Sequence, residues 1–120
     1  MSYPAAIDTL RQAAREHNVP VISPRNAAFL QTLLKQRKPM HMLEIGSAIG
    51  VSTAIIATTL AQWGGQLCSI EISVPTQAAA QTNLDALGIT NVQSLCGDAR
   101  DFMRAWAQTP QDRKSTRLNS

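Results

Sequence analysis

At 120 residues the chain has material for one small domain, and an apolar share of 44% is ordinary for a globular protein. The formal charge of +3 is concentrated in the last nine residues, which hold three of the eleven basic side chains and one of the eight acidic ones; the remaining balance is eight against seven, which excludes a charge argument for nucleic-acid binding. No run of 18 apolar residues is present, which argues against a membrane span. The first residues show no basic region leading into an apolar core, so no secretory signal is expected and the cytoplasm is the expected location. Cys68 and Cys96 form no C-x-x-C and no metal-ligand spacing, and each lies in a strand-like apolar run, so two buried free thiols are expected.

In chain order, Ala5 to His17 reads as an amphipathic helix. Ala6, Leu10, Ala13 and Ala14 recur near helical spacing, with Arg11, Arg15 and Glu16 between them. Asn18 is the expected stop and Pro20 follows. Val19 to Ile22 reads as an extended connector. Ser23-Pro24 gives an N-cap with proline at the first helical position. The helix it opens runs to about Arg37, with Ala27, Phe29, Leu30, Leu33 and Leu34 as its expected apolar face. Arg37 and Lys38 sit where the helix dipole favours cations. Met40 to Ile45 reads as the first strand, Val51 to Gln62 as a helix and Trp63-Gly64-Gly65 as a turn. Gln66 to Ile70 is the second strand, ending at Glu71. Val74 to Leu87 is a helix closed by Gly88 as a left-handed cap. Asn91 to Cys96 is the third strand, and a helix follows from Ala99 to about Gln108.

Two leading helices and then strand-helix-strand-helix-strand-helix imply an α/β fold with a parallel sheet and right-handed crossovers. In such sheets ligands bind beyond the carboxyl ends of the strands. All three strand ends carry glycine or an acid: Glu44-Ile45-Gly46, Glu71 and Gly97-Asp98. Around the first, Leu43-Glu44-Ile45-Gly46-Ser47-Ala48-Ile49-Gly50-Val51-Ser52 reads as strand end, glycine turn and first helical turn. Gly46 lets the backbone turn sharply and approach a ligand, and Gly50 lets the helix start against the strand. The free N–H groups of that helix end favour a carboxylate. A dinucleotide G-x-G-x-x-G fits poorly, because its second and third glycines would fall at Ala48 and Val51. Glu71, 25 residues after Gly46, can accept hydrogen bonds from a ribose hydroxyl pair. Asp98 can accept from an adenine amino group with the Ala99 N–H facing the ring, or cap the helix that begins at Ala99, or do both.

The E-x-G-x-x-x-G loop resembles the cofactor loop of class I S-adenosylmethionine-dependent methyltransferases. With Val19 to Pro24, Ser69-Ile70-Glu71-Ile72 and Cys96-Gly97-Asp98-Ala99, the stretch from Val19 to Asp101 resembles bacterial O-methyltransferases of the catechol and caffeoyl-CoA type, a group that includes methyltransferases of 5-hydroxyuridine in transfer RNA. The resemblance implies the first half of a Rossmann-like fold, strands one to three of a mostly parallel sheet behind two leading helices. Residues 1–39 would be a helical segment and 40–111 the cofactor-binding half. It implies S-adenosylmethionine as cofactor, held by Glu44, Gly46, Ser47, Gly50, Ser52, Glu71, Asp98 and Ala99: loop backbone on the methionine part, Ser52 on its carboxylate, Glu71 on the ribose, Asp98 and Ala99 on the adenine. The implied reaction is methyl transfer to a hydroxyl of a small phenolic or catechol-type acceptor or of a modified transfer-RNA uridine. A divalent cation, usually magnesium, is implied too, with ligands beyond a fourth strand; no metal ligand and no catalytic residue is assigned in this sequence, and His17 and His41 are not at ligand spacing. Relatives of this kind are often dimers, so a homodimer is among the expected assemblies. The competing expectations are a non-catalytic adenosine- or nucleotide-binding module and, less well matched by the loop, half of a nicotinamide enzyme. Asp112 to Ser120 has no helical or strand periodicity and resembles a translated sequencing adapter. A non-native tail on a truncated, inactive fragment is therefore expected, with the first strand's outer edge left open.

Overall fold

The computed structural model describes residues 3–16 and 21–107. The expectations for His17 to Pro20, Gln108 and the tail from Asp112 lie outside the described residues.

Five α-helices and three strands alternate as the sequence predicts: α1 (Tyr3–Glu16), α2 (Pro24–Arg37), β1 (His41–Ile45), α3 (Val51–Leu60), β2 (Gln66–Glu71), α4 (Val74–Ala86), β3 (Val92–Cys96) and α5 (Ala99–Ala107). A 3-10 turn, Ala61–Trp63, carries α3 into Gly64 and Gly65. α2 starts as its sequence dictates: the Ser23 hydroxyl accepts from Asn26 N–H at 3.1 Å and Pro24 fills the first turn. α4 starts the same way at Ser73 and ends at Gly88, whose φ of +72° is the expected left-handed cap.

The described strands form one parallel sheet in the order β1-β2-β3, with Ile45 opposite Ile70 and Glu71 opposite Cys96. The ladder runs one residue past β1 and β3: Gly46 N–H donates to the Ile70 carbonyl at 2.7 Å and Gly97 N–H to the Glu71 carbonyl at 3.0 Å. This register brings the Gly46 loop, Glu71 and the Gly97 turn to one edge of the sheet.

α3 carries Val51, Ala54, Ile55, Ile56, Ala57 and Leu60, all buried, because it lies between the sheet and the leading helices. A helix apolar on every side requires that position. Leu67 of β2, Leu84 of α4, Ile89, Ile7 of α1, and Ala27 and Leu34 of α2 complete the core around it. Two side-chain amides brace the frame. Asn91 donates to the carbonyls of Ala57 and Gly65, and Gln31 donates to the Thr59 hydroxyl, which itself donates to the Ile55 carbonyl.

Four expectations are corrected. Phe29 is 67% exposed and Leu33 is exposed as well, because the stripe of α2 that meets α3 runs through Ala27, Leu30 and Leu34, leaving both to one side. Arg11 is buried, because Ile7, Arg11 and Ala14 share the inward stripe of α1; its guanidinium donates to the Ile22 carbonyl. Cys96 is exposed and Cys68 half-buried, so neither is a fully buried thiol. Cys96 ends an outer strand of the described sheet, whereas burial does push the Cys68 thiol up. Gly50 faces helix rather than strand: a Cβ there would lie 3.5 Å from the backbone of Ala80 on α4.

Candidate functional site

The loop Gly46 to Gly50 leaves β1 and feeds α3. Gly46 has φ +87°, disfavoured for any residue with a Cβ, and a Cβ built there would meet nothing within 4 Å. The backbone therefore faces open space. Gly50 caps α3 with φ +96° and offers no side-chain acceptor to the helix. The first helical hydrogen bond runs from Ala54 N–H to the Gly50 carbonyl, so the N–H groups of Val51, Ser52 and Thr53 precede the helical ladder. Ala48 also adopts a positive φ, +47°, without being glycine. Its N–H donates to Glu71 Oε1 at 3.2 Å, which ties the loop to the end of β2.

Two clefts open on either side of Gly46. The first, about 240 Å³, is walled by Val21, Ile22, Gly46, Ser47, Ala48 and Ser52. The second, about 370 Å³, runs from Gly46 over the ends of β2 and β3, with Glu71, Asp98 and Ala99 as its expected residues and Ile72, Arg100 and Met103 as additions. Six of the eight residues assigned from the sequence thus line one cleft or the other. Glu44 and Gly50 line neither and shape the site from behind.

Glu44 is a structural hub. Its Oε2 accepts from Ser52 Oγ at 2.6 Å, and its Oε1 accepts from Ser69 Oγ at 2.8 Å and from Thr53 Oγ1. Ser69 and Thr53 are buried. One carboxylate therefore joins β1, β2 and the first turn of α3. A serine hydroxyl has one proton, and that of Ser52 is engaged by Glu44, which leaves the oxygen lone pairs and the backbone N–H to face the cleft. Glu71 differs. Oε1 takes Ala48 N–H, Oε2 takes Ser73 N–H at 3.0 Å, and each oxygen keeps acceptor capacity.

Asp98 caps α5, with the Arg100 N–H on Oδ1 at 2.8 Å, and is forked by the Arg100 guanidinium at 2.8 and 3.2 Å. The hydrogen bond from the Arg100 side chain, then that from its backbone N–H, and the positive charge beside it hold the Asp98 carboxyl at a pKa of about 2. Of the two expected roles of Asp98 the cap is formed, and Asp98 also lines the second cleft.

Sequence reasoning missed Ile72, Met103 and Arg100 as cleft walls. The signal for Ile72 is its place directly after an acidic strand end, where it is 70% exposed. Met103 lies four residues beyond Ala99, one helical turn along α5.

Comparison with known proteins places this arrangement. The family model for protein-L-isoaspartate(D-aspartate) O-methyltransferase (PCMT) matches residues 9–113. The chain belongs to this methyltransferase family. This member is also 35% identical over 83 residues to a catechol O-methyltransferase of Niastella koreensis, covering 68% of the chain and 37% of that protein. Among solved structures, an O-methyltransferase from Bacillus cereus in complex with S-adenosylhomocysteine superposes with a TM-score of 0.76 at 26% identity, covering 88% of this chain and 49% of that one. The O-methyltransferase TomG from Streptomyces achromogenes, solved with S-adenosylmethionine, gives 0.73 at 28%, covering 84% and 46%. The fold is thus the Rossmann-like one of class I methyltransferases, and the chain spans about half the length of these solved neighbours. Among its described residues no helix is long and apolar enough to cross a membrane.

Proposed function

We propose that this chain forms the cofactor-binding half of an S-adenosylmethionine-dependent O-methyltransferase, with residues 40–111 as the binding unit behind the helical segment 1–39. The observation that carries the proposal is that Gly46 is the shared wall of two clefts, one ending at the α3 N-terminus and the other at Glu71 and Asp98. A ligand with a carboxylate at one end and an adenosine at the other fits that division. The carboxylate would meet the backbone N–H groups of the first turn of α3, that of Ser52 among them, since the Ser52 hydroxyl proton is held by Glu44. Ribose hydroxyls would donate to Glu71, and the adenine would lie among Ile72, Ala99 and Met103 with Asp98 at its edge.

When bound, the cofactor supplies an electrophilic methyl group on a sulfonium. The chain's own contribution is to fix that group's direction, which matters because in-line transfer depends on alignment. For magnesium the residues present do not fit: among the described residues no three His, Cys, Asp or Glu side chains come together.

For the acceptor, the Niastella relative supports a catechol-type phenol, reached as a hydroxyl oxygen; the hydroxyl of a modified transfer-RNA uridine is the other acceptor of this chemistry. The family match favours a second reading, the carboxyl oxygen of an isoaspartyl peptide. Because the chain spans about half of its solved neighbours, we expect it to bind cofactor without turning over. The test is radiolabelled methyl transfer to catechol, an isoaspartyl peptide and hypomodified transfer RNA. It compares the 120-residue chain with a chimera in which the remaining length of the Niastella protein follows residue 107. Transfer to catechol by the chimera alone is expected. Transfer by the 120-residue chain would refute the division into halves, and transfer to the isoaspartyl peptide alone would install the second reading.

A further inference from the structure

We propose that Asn83 is a positioning residue that sets the cofactor loop from behind, acting through the backbone of Ile49 and touching no ligand; this rests on the cofactor-binding reading of the two clefts. Asn83 sits on α4, in a segment rich in alanine and glutamine. Its Nδ2 donates to the Ile49 carbonyl at 2.8 Å, across 34 residues of chain. One turn earlier on the same helix, Ala80 is fully buried and lies in van der Waals reach of any atom added at Gly50. From the other side, Glu71 Oε1 holds the N–H of Ala48. Two successive loop residues, Ala48 and Ile49, are therefore held by hydrogen bonds to the end of β2 and to α4, and the next, Gly50, lies close to α4.

The loop has reason to need this. Ala48 adopts a left-handed conformation that its Cβ disfavours, so the turn is held by its surroundings rather than by its own preference. Asparagine is a weak helix former, and packing alone would be served as well by alanine. A neutral donor aimed at one carbonyl is what its side chain adds. Only Ile72 and Ser73 separate Glu71, at the end of β2, from α4, so the proposed ribose acceptor and the helix that sets the height of the loop over the first cleft are joined through one short turn. Asn83 thereby fixes the spacing between the two ends of the bound ligand.

The test compares wild type, Asn83→Ala and Asn83→Asp by hydrogen exchange of the backbone amides of residues 46–52 without ligand, and by S-adenosylhomocysteine titration well below the melting temperature. Asn83→Asp keeps the shape and sets an acceptor against the carbonyl; Asn83→Ala serves if that variant does not fold. Faster exchange confined to the loop, with affinity lower by about three- to tenfold in Asn83→Ala, as loss of one neutral hydrogen bond implies, is the expected result. A lower melting temperature with loop exchange and affinity unchanged would overturn the proposal. Failure of wild type to bind S-adenosylhomocysteine would overturn the cofactor reading instead; the exchange arm needs no ligand and tells the two apart.

Discussion

Replacing Glu44 by alanine should destabilise the fold far more than it alters the clefts. The carboxylate accepts three hydroxyl donors, of which Ser69 and Thr53 are buried and Ser52 is half-buried at the cleft. A hydrogen bond to a charged acceptor contributes about 1.5–3 kcal/mol net. Ser52 can turn to water at little cost, so two donors carry the loss. Thr53 can in part recover by rotating toward a carbonyl one turn earlier, as helical threonines do. A net loss of about 3 kcal/mol follows, a large share of a small domain's stability. Glu44→Gln keeps one acceptor oxygen and offers an amide to Ser52, which can then accept, so about 1 kcal/mol is expected. Urea unfolding followed by the fluorescence of Trp63 and Trp106 measures both. Unfolding of Glu44→Ala at the wild-type midpoint, with S-adenosylhomocysteine affinity lost, would refute this, because Glu44 would then be a ligand group and no hub.

Gly46→Val should abolish S-adenosylhomocysteine binding in a calorimetric titration, because its side chain would enter the space shared by both clefts; unchanged affinity would remove the loop from the site. Lys38 closes α2 at φ +46°, so Lys38→Gly should relieve a left-handed penalty and raise stability by about 0.5–1 kcal/mol net of glycine's entropy, read as a higher urea midpoint. Asp98 should titrate near 2, so its stabilising contribution is full above about pH 4, its unfolded range, and fades as pH falls through 2. An NMR titration checks this, and Arg100→Ala should return the carboxyl toward 3.8.

The alternation of strands and helices was legible because turn chemistry marks many of the boundaries: Ser23-Pro24, Gly64-Gly65 and Gly88 all act where their residue types predict. The convergence of Gly46, Glu71 and Asp98 on one sheet edge was legible for the same reason, since parallel strands of matched length bring their ends together. Three features were not. Arg11 carries a charge on an inward stripe, and no pattern of polarity shows that a carbonyl waits for it at Ile22. Phe29 and Leu33 satisfy helical spacing, but helical spacing does not say which of two adjacent stripes meets the neighbour. Glu44 reads as a ligand group because it stands beside the loop. Its hydroxyl partners lie 8, 9 and 25 residues away, and only the paired register of β1 with β2 brings Ser69 across to it.

On the proposed function, the two clefts around Gly46 hold S-adenosylmethionine rather than a dinucleotide. Thermal melting of the 120-residue chain with S-adenosylhomocysteine and, separately, with NAD tests it most directly. Stabilisation that saturates with S-adenosylhomocysteine, is absent with NAD and is reduced at least about tenfold in affinity by Glu71→Ala, which removes a charged acceptor, is the predicted result. Stabilisation by NAD, or none by S-adenosylhomocysteine, would contradict it.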